Sequence, residues 1–133
     1  MAGYLAFDYG SQRIGVAMGG GKLGRPQALT IIPNDQYSIS TIQSLIKEHN
    51  PTKIIVGLPH NLDGEETNQS IECRNFARQL EAFNKQVVLY DESLSSQRAE
   101  HRLGSLSIRK KKRQLDALSA QIILEDYIAH ATK

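Results

Sequence analysis

The sequence predicts an α/β fold in which three antiparallel strands are followed by helices alternating with parallel strands. Three observations carry that expectation: a length of 133 residues, close to the commonest domain size; short β-rich runs joined by turn residues near the start; and, after residue 38, helical periodicities that alternate with short, wholly apolar runs. Hydrophobic residues make up 40% of the chain and charged residues 23%, the balance of an ordinary folded domain. We therefore expect one domain spanning 1–133.

The elements follow in order. Tyr4–Tyr9 (YLAFDY) and Ile14–Met18 read as strands joined at Gly10-Ser11, and a hairpin is the simplest connection. Gly19-Gly20-Gly21 breaks the pattern, and Ala28–Ile32 offers a third strand closed by Pro33. From Ser38, the residues Ile39, Ile42, Leu45 and Ile46 recur at helical spacing, and Asn50-Pro51 marks the stop. Ile54–Gly57 (IIVG) is the continuous apolar run of a strand covered on both faces. After the loop LPHNLDGEET, a second helix is marked by Ile71, Phe76, Ala77, Leu80 and Phe83, and Val87–Tyr90 (VVLY) forms a further buried strand ending at Asp91-Glu92. Ser96–Leu103 can form a short helix, Gly104–Lys112 reads as a basic loop, and Leu115–Ala131 is expected as a closing helix, apolar over more than half its circumference and lying deep against the sheet.

Several function classes drop out. No apolar run approaches the ~20 residues that span a bilayer, and the start MAGYLAFDYG lacks the features of a secretory signal, so a cytoplasmic protein with no membrane partner is expected. Cys73 has no second cysteine to pair with and is read as a small packed side chain. The glycines form neither a strand–GxxxxGK[ST]–helix unit nor a GxGxxG opening a helix, which argues against a P-loop or dinucleotide site. The four histidines are scattered, and the acidic loop residues Asn61, Asp63, Glu65 and Glu66 lack the twelve-residue spacing of a calcium loop.

Three carboxylates point to chemistry. Asp8 ends an otherwise apolar strand, where desolvation is costly unless a cation or donors compensate; the competing reading is a turn-forming Asp beside Gly10. Glu92 emerges after VVLY, where α/β folds gather ligand-binding groups; its rival is a solvated residue next to an Asp91 helix cap. Asp116 is expected in the first turn of the closing helix, where the helix dipole alone would favour it, yet its neighbours Leu115, Ala117 and Leu118 are apolar. It shares a helical line with Ala120, Ile123 and Tyr127. An all-oxygen set of this kind suits Mg²⁺ or Mn²⁺, and paired ions of that type activate water against a scissile phosphate. The net charge is only +2, but Arg109, Lys110, Lys111, Lys112 and Arg113 stand together just before Asp116. That block is read either as a phosphate grip or as a solvated loop.

These residues carry a resemblance. Asp8-Tyr9-Gly10 with Arg13-Ile14-Gly15-Val16-Ala17, Gly57-Leu58-Pro59 with Asn61, Asp63 and Gly64, Asp91-Glu92 with Leu94-Ser95-Ser96, and Asp116 with Ala120, Ile123-Leu124 and Tyr127 occur in one order. In that order they resemble the YqgF family of RuvC-like, ribonuclease H-like nucleases over nearly the whole chain. The resemblance implies a five-stranded mixed sheet of ribonuclease H type and a metal site at Asp8, Glu92 and Asp116. It also implies processing of the 5′ end of pre-16S rRNA during ribosome biogenesis, with contact to ribosome assembly intermediates. Resolution of Holliday junctions is the alternative, and would favour a homodimer over a monomer. Relatives commonly carry Arg after the Asp-Glu pair where this chain has Ser93, so Arg13 and Arg98 are the candidates to supply that charge. A binding module of the same fold without catalysis is the rival from a different class. FDYGSQRIGVAM also looks like the first phosphate-binding hairpin of actin-like kinases, which normally need two such domains to enclose a nucleotide.

Overall fold

A computed structural model describes residues 3–10, 12–20, 24–58, 68–91 and 108–131, with the backbone alone at 58, 68–69, 91, 108–117 and 130–131. In chain order the described elements are β1 (Tyr4–Tyr9), β2 (Arg13–Gly19), β3 (Gln27–Pro33), α1 (Ser38–His49), β4 (Lys53–Leu58), α2 (Asn68–Glu81), β5 (Gln86–Asp91) and α3 (Ile108–Ala131). The strands form one five-stranded sheet in the order β3-β2-β1-β4-β5. β1 pairs antiparallel with β2 and β2 with β3, whereas β4 runs parallel to β1 and β5 parallel to β4. No helix of the described residues is long and apolar enough to cross a membrane.

Strand alternation sorts the sheet into two differently packed faces. Leu5, Phe7, Ile14, Val16, Ile54 and Val56 turn to one side and meet Ile42 and Ile46 of α1 and Phe76, Ala77 and Leu80 of α2. Ala6, Ala17 and Ile55 turn to the other and meet Ala120, Ile123 and Leu124 of α3. The second face is built from small residues on the two central strands, so the helix backbone approaches the sheet closely. β3 forms an edge between Pro26 and Pro33, residues that cannot donate to a further strand. Its register slips between Val16 and Ala17, which pair with Thr30 and Ala28 and leave Leu29 as the bulged residue.

Local chemistry sets the element ends. Tyr37 N–H donates to Asp35 Oδ1 at 2.9 Å, and Ser38 Oγ donates to the Asp35 carbonyl at 2.9 Å, which turns the chain from β3 into α1. Asn50 closes α1 in the left-handed region (φ 44°) while its N–H donates to Ile46 O at 2.8 Å, the stop expected at Asn50-Pro51.

Three expectations need correction. The basic block is not in a loop: α3 begins at Ile108, so Arg109–Arg113 form its first turns. Alternating Ile, Leu and Ala with long straight-chain Lys, Arg and Gln makes this stretch a good helix former, and that propensity outweighs the like charges. Asp116 consequently lies eight residues into α3 rather than in its first turn, which removes the dipole as its explanation. Finally, Ile71 is exposed, and Phe83 falls in the turn beyond α2 while still packing on the core. The proposed short helix Ser96–Leu103 and the loop LPHNLDGEET from Pro59 onward lie outside the described residues.

Candidate active site

The carboxy-terminal edge of β1, β4 and β5 is where three parallel strands end together, the position at which open α/β sheets present ligand-binding groups. Asp8 is the penultimate residue of β1. By alternation it shares the face of Ala6, the face covered by α3, while its neighbour Tyr9 turns to the α1 and α2 side. Its cross-strand partner on β2 is Gly15. On the other flank Phe7 pairs with Val56, so the next position of β4 is Gly57. Both glycines are buried. A half-buried carboxylate therefore sits between two positions that have no side chain.

The turn beyond Asp8 is tied down. Gly10 N–H donates to Arg13 O at 2.9 Å, Asn34 Nδ2 donates to Gly10 O at 2.7 Å, and Asn34 N–H donates to Gln12 O at 2.9 Å. These bonds fasten the β1–β2 hairpin to the end of β3 and fix the strand end that carries Asp8. Arg13 opens β2 two residues before Gly15, on the same sheet face and at the same edge as Asp8.

The path of α3 locates Asp116. Near its end, Ile128 lies against the Tyr4 level of the sheet, since a Cβ on Gly20 would sit 3.0 Å from the Tyr4 ring and 3.4 Å from Ile128. Seven residues earlier, Gln121 Oε1 accepts from Ala28 N–H at 3.1 Å, and Ala28 pairs with Ala17, which pairs with Ala6. The helix thus climbs antiparallel to β1. Asp116 is five residues further on, about 7 Å at 1.5 Å per residue, and Asp8 is two strand residues beyond Ala6, also about 7 Å. Asp116 belongs to the helical line of Ala120 and Ile123, both buried against the sheet. The backbone therefore brings Asp116 to the level of Asp8 on one face of the sheet, and the basic residues 109–113 extend past the same edge by one to two further turns.

Glu92 and Arg98 lie outside the described residues, and the side chains of Asp116 and of Arg109, Lys110, Lys111, Lys112 and Arg113 are not described. Among the described residues no three His, Cys, Asp or Glu side chains gather into a metal cluster. What Asp8 offers is an oxygen donor, which fits a hard cation such as Mg²⁺ or Mn²⁺ and not a soft one. Cys73 is buried with its thiol 3.9 Å from Tyr9 O, the packed role expected for it.

Sequence reasoning missed the aromatic cluster at the opposite end of α3. Tyr127 packs edge-on against Tyr4 and Tyr90, with ring centroids 5.8 and 6.0 Å away, and Lys53 Nζ donates to its hydroxyl at 3.0 Å. Donation to Tyr127, and then the charge its ring can carry, hold the Lys53 ammonium above its ordinary pKa, against a smaller opposing effect of burial. This cluster anchors the end of the helix that carries Asp116. The signal was present in Tyr4, Ala6 and Asp8 having one parity, which puts the tyrosine and the carboxylate on one face.

Comparison with known proteins completes the picture. A family model described as "RuvX: Holliday junction resolvase" matches residues 2–130. The chain belongs to the RuvX family. It is 41% identical over 132 residues to a protein of Alcanivorax borkumensis named "Putative pre-16S rRNA nuclease", covering 97% of both chains. A relative of the same name from Methylobacillus flagellatus is 44% identical over 129 residues, covering 92% of this chain and 88% of its own. Among solved structures, Thermus thermophilus RuvC bound to a Holliday junction substrate aligns with a TM-score of 0.60 at 12% identity, covering 99% of this chain and 98% of that one. A further Thermus thermophilus RuvC structure aligns with a TM-score of 0.56 at 12% identity, covering 98% of this chain and 97% of that one. These likenesses establish the RuvC-like fold that the motifs implied.

Proposed function

We propose that this RuvX-family chain is a metal-dependent endonuclease that trims the 5′ end of pre-16S rRNA in the cytoplasm, acting on ribosome assembly intermediates. The observation that carries the reading is Asp8 on the α3 face, flanked by Gly15 and Gly57, with the backbone of α3 bringing Asp116 to its level. The name shared by the curated relatives supports the RNA substrate. On β5, whose end directly precedes Glu92 in the chain, Val88 and Tyr90 face α3.

In this reading Asp8, Glu92 and Asp116 hold Mg²⁺ or Mn²⁺. When bound, such ions would supply activation of water and compensation of charge on the leaving oxygen. The chain's own residues do the rest. Gly15 and Gly57 place no side chain beside Asp8, Arg13 offers a guanidinium fork to the phosphate at the same edge, and Arg109–Arg113, with Arg98, bind the flanking backbone by charge alone. The wide buried stripe of α3 fixes the spacing between Asp116 and Asp8.

A second reading, resolution of four-way DNA junctions, is favoured by the description of the family model. One assay separates them: labelled pre-16S 5′ fragments and a four-way DNA junction are incubated with Mg²⁺, Mn²⁺ or EDTA, using wild type and Asp8→Asn. RNA cleavage that needs metal and disappears in the variant supports the proposal. Cleavage of the junction alone selects the second reading. RNA binding in EDTA with no cleavage of either substrate would leave a nucleic-acid-binding module.

A further inference from the structure

On the sheet face opposite α3, an open, mainly polar pocket of about 590 Å³ lies between the start of α1 and the middle of α2. Half-buried Tyr9 is its aromatic surface, backed by the buried ring of Phe76 with centroids 4.7 Å apart and planes tilted by 38°. Four carboxamides line it: Asn34, Gln36, Asn75 and Gln79. Two carboxylates, Asp35 and Glu72, and the hydroxyl residue Ser38 add to the polar lining, and among the described lining residues there is no Lys, Arg or His. Such a wall repels a phosphate. It suits a neutral, flat molecule rich in both hydrogen-bond donors and acceptors.

Part of this lining is already held in position. Asn34 Nδ2 is committed to Gly10 O and Asp35 Oδ1 to Tyr37 N–H, which fixes the orientation of both groups before any ligand arrives. The pocket is also close to the candidate active site along the chain, because Tyr9 directly follows Asp8 and alternation sends the two side chains to opposite faces of one strand end. A nucleic acid strand crossing that edge would have its backbone at Asp8 and a neighbouring base within reach of Tyr9.

We infer that the pocket between α1 and α2 binds one unpaired guanine base of the RNA strand whose backbone passes Asp8. Carboxamides and carboxylates are the side chains that read base edges, and aromatic rings are the surfaces on which splayed RNA bases stack. Guanine matches best because its adjacent N1–H and N2–H donors fit the paired oxygens of a carboxylate such as Glu72, while its O6 and N7 accept from carboxamide NH₂ groups. The placement of the strand rests on the nuclease reading above; the capture of the base does not.

The test is titration of ¹⁵N-labelled protein with guanosine and with uridine, nucleosides without phosphate, in EDTA. Wild type, Asp8→Asn and Glu72→Gln are compared by the shifts of the side-chain amides of Asn34, Gln36, Asn75 and Gln79. Guanosine is expected to shift these amides saturably in wild type and in Asp8→Asn, uridine to bind more weakly, and Glu72→Gln to weaken guanosine by about tenfold. Absence of saturable shifts, or equal binding of both nucleosides in wild type and Glu72→Gln, would overturn the inference. A protein that cleaves RNA yet fails this titration loses the base pocket and keeps the nuclease. One that binds guanosine but cuts nothing keeps the pocket and loses the nuclease.

Discussion

Two isoleucines of identical burial sit on opposite faces of the sheet, and replacing each by alanine separates stability from activity. Ile42 of α1 and Ile123 of α3 are both fully buried, one packed with the α1 and α2 cluster and the other with Ala6, Ala17 and Ile55. Each substitution removes three carbons, about 2.4 kcal/mol of transfer free energy, and the void left beneath a stiff sheet raises the cost to about 3 kcal/mol. For a chain of 133 residues, that corresponds to a fall of ~10 °C in Tm for both variants. Activity should diverge. Ile123 is two turns from Asp116 along one helical line, so a void there lets α3 settle onto the small residues below and shifts Asp116. A misplacement of about 1 Å costs ~10²-fold in rate. Ile42 lies on α1, which carries none of the three carboxylates. Calorimetry gives Tm, and single-turnover cleavage well below both transitions gives the rate. Equal rate losses in the two variants, or a loss confined to Ile42→Ala, would refute the argument.

Other expectations follow from the same geometry. Gly19→Ala would place a Cβ 2.5 Å from the Cα of Pro26, a backbone atom that cannot swing aside, so a loss of about 1–3 kcal/mol is expected in urea unfolding. Tyr127→Phe removes the acceptor that raises the Lys53 pKa and should return the ammonium toward its ordinary value, read by NMR of the labelled side chain. Because a raised lysine pKa stabilises the fold while the group is charged, the contribution is fully present below the unfolded pKa. It fades as pH climbs through the folded one, and wild type and Tyr127→Phe should converge in stability above that point. Replacing Lys110, Lys111 and Lys112 with Gln should flatten the dependence of log K for single-stranded RNA on log salt by about 2, as ~0.7 is expected per phosphate contact.

The sheet was legible in the sequence because each strand is a short apolar run between turn residues, and the expected Tyr4–Tyr9 coincides with β1. IIVG is apolar on every position because both faces of β4 are covered, whereas VVLY, read as equally buried, forms the edge strand β5 with Leu89 exposed. The start of α3 was not legible. Five consecutive cations read as a solvated loop, yet straight-chain Lys and Arg continue a helix readily, and the long apolar stripe from residue 118 onward anchors it. That error displaced Asp116 from deep in the helix to its first turn. The face relation between Asp8 and Asp116 was recoverable from the parity of Tyr4, Ala6 and Asp8 and from the 116, 120, 123, 127 line. Their common level along the strands was not, since it depends on which sheet residues Gln121 and Ile128 meet. The pocket at Tyr9 could not be read either, because its lining comes from β1, the β3–α1 turn and α2.

We propose that Asp8, Glu92 and Asp116 form one cation site. Mn²⁺ binding measured by electron paramagnetic resonance on wild type, Asp8→Asn, Glu92→Gln and Asp116→Asn, each checked for folding by circular dichroism, addresses it most directly. The account predicts that every one of the three substitutions weakens Mn²⁺ by tenfold or more while the fold is retained. If folded Glu92→Gln or Asp116→Asn binds Mn²⁺ as wild type does, the three carboxylates do not share a site and the account is contradicted.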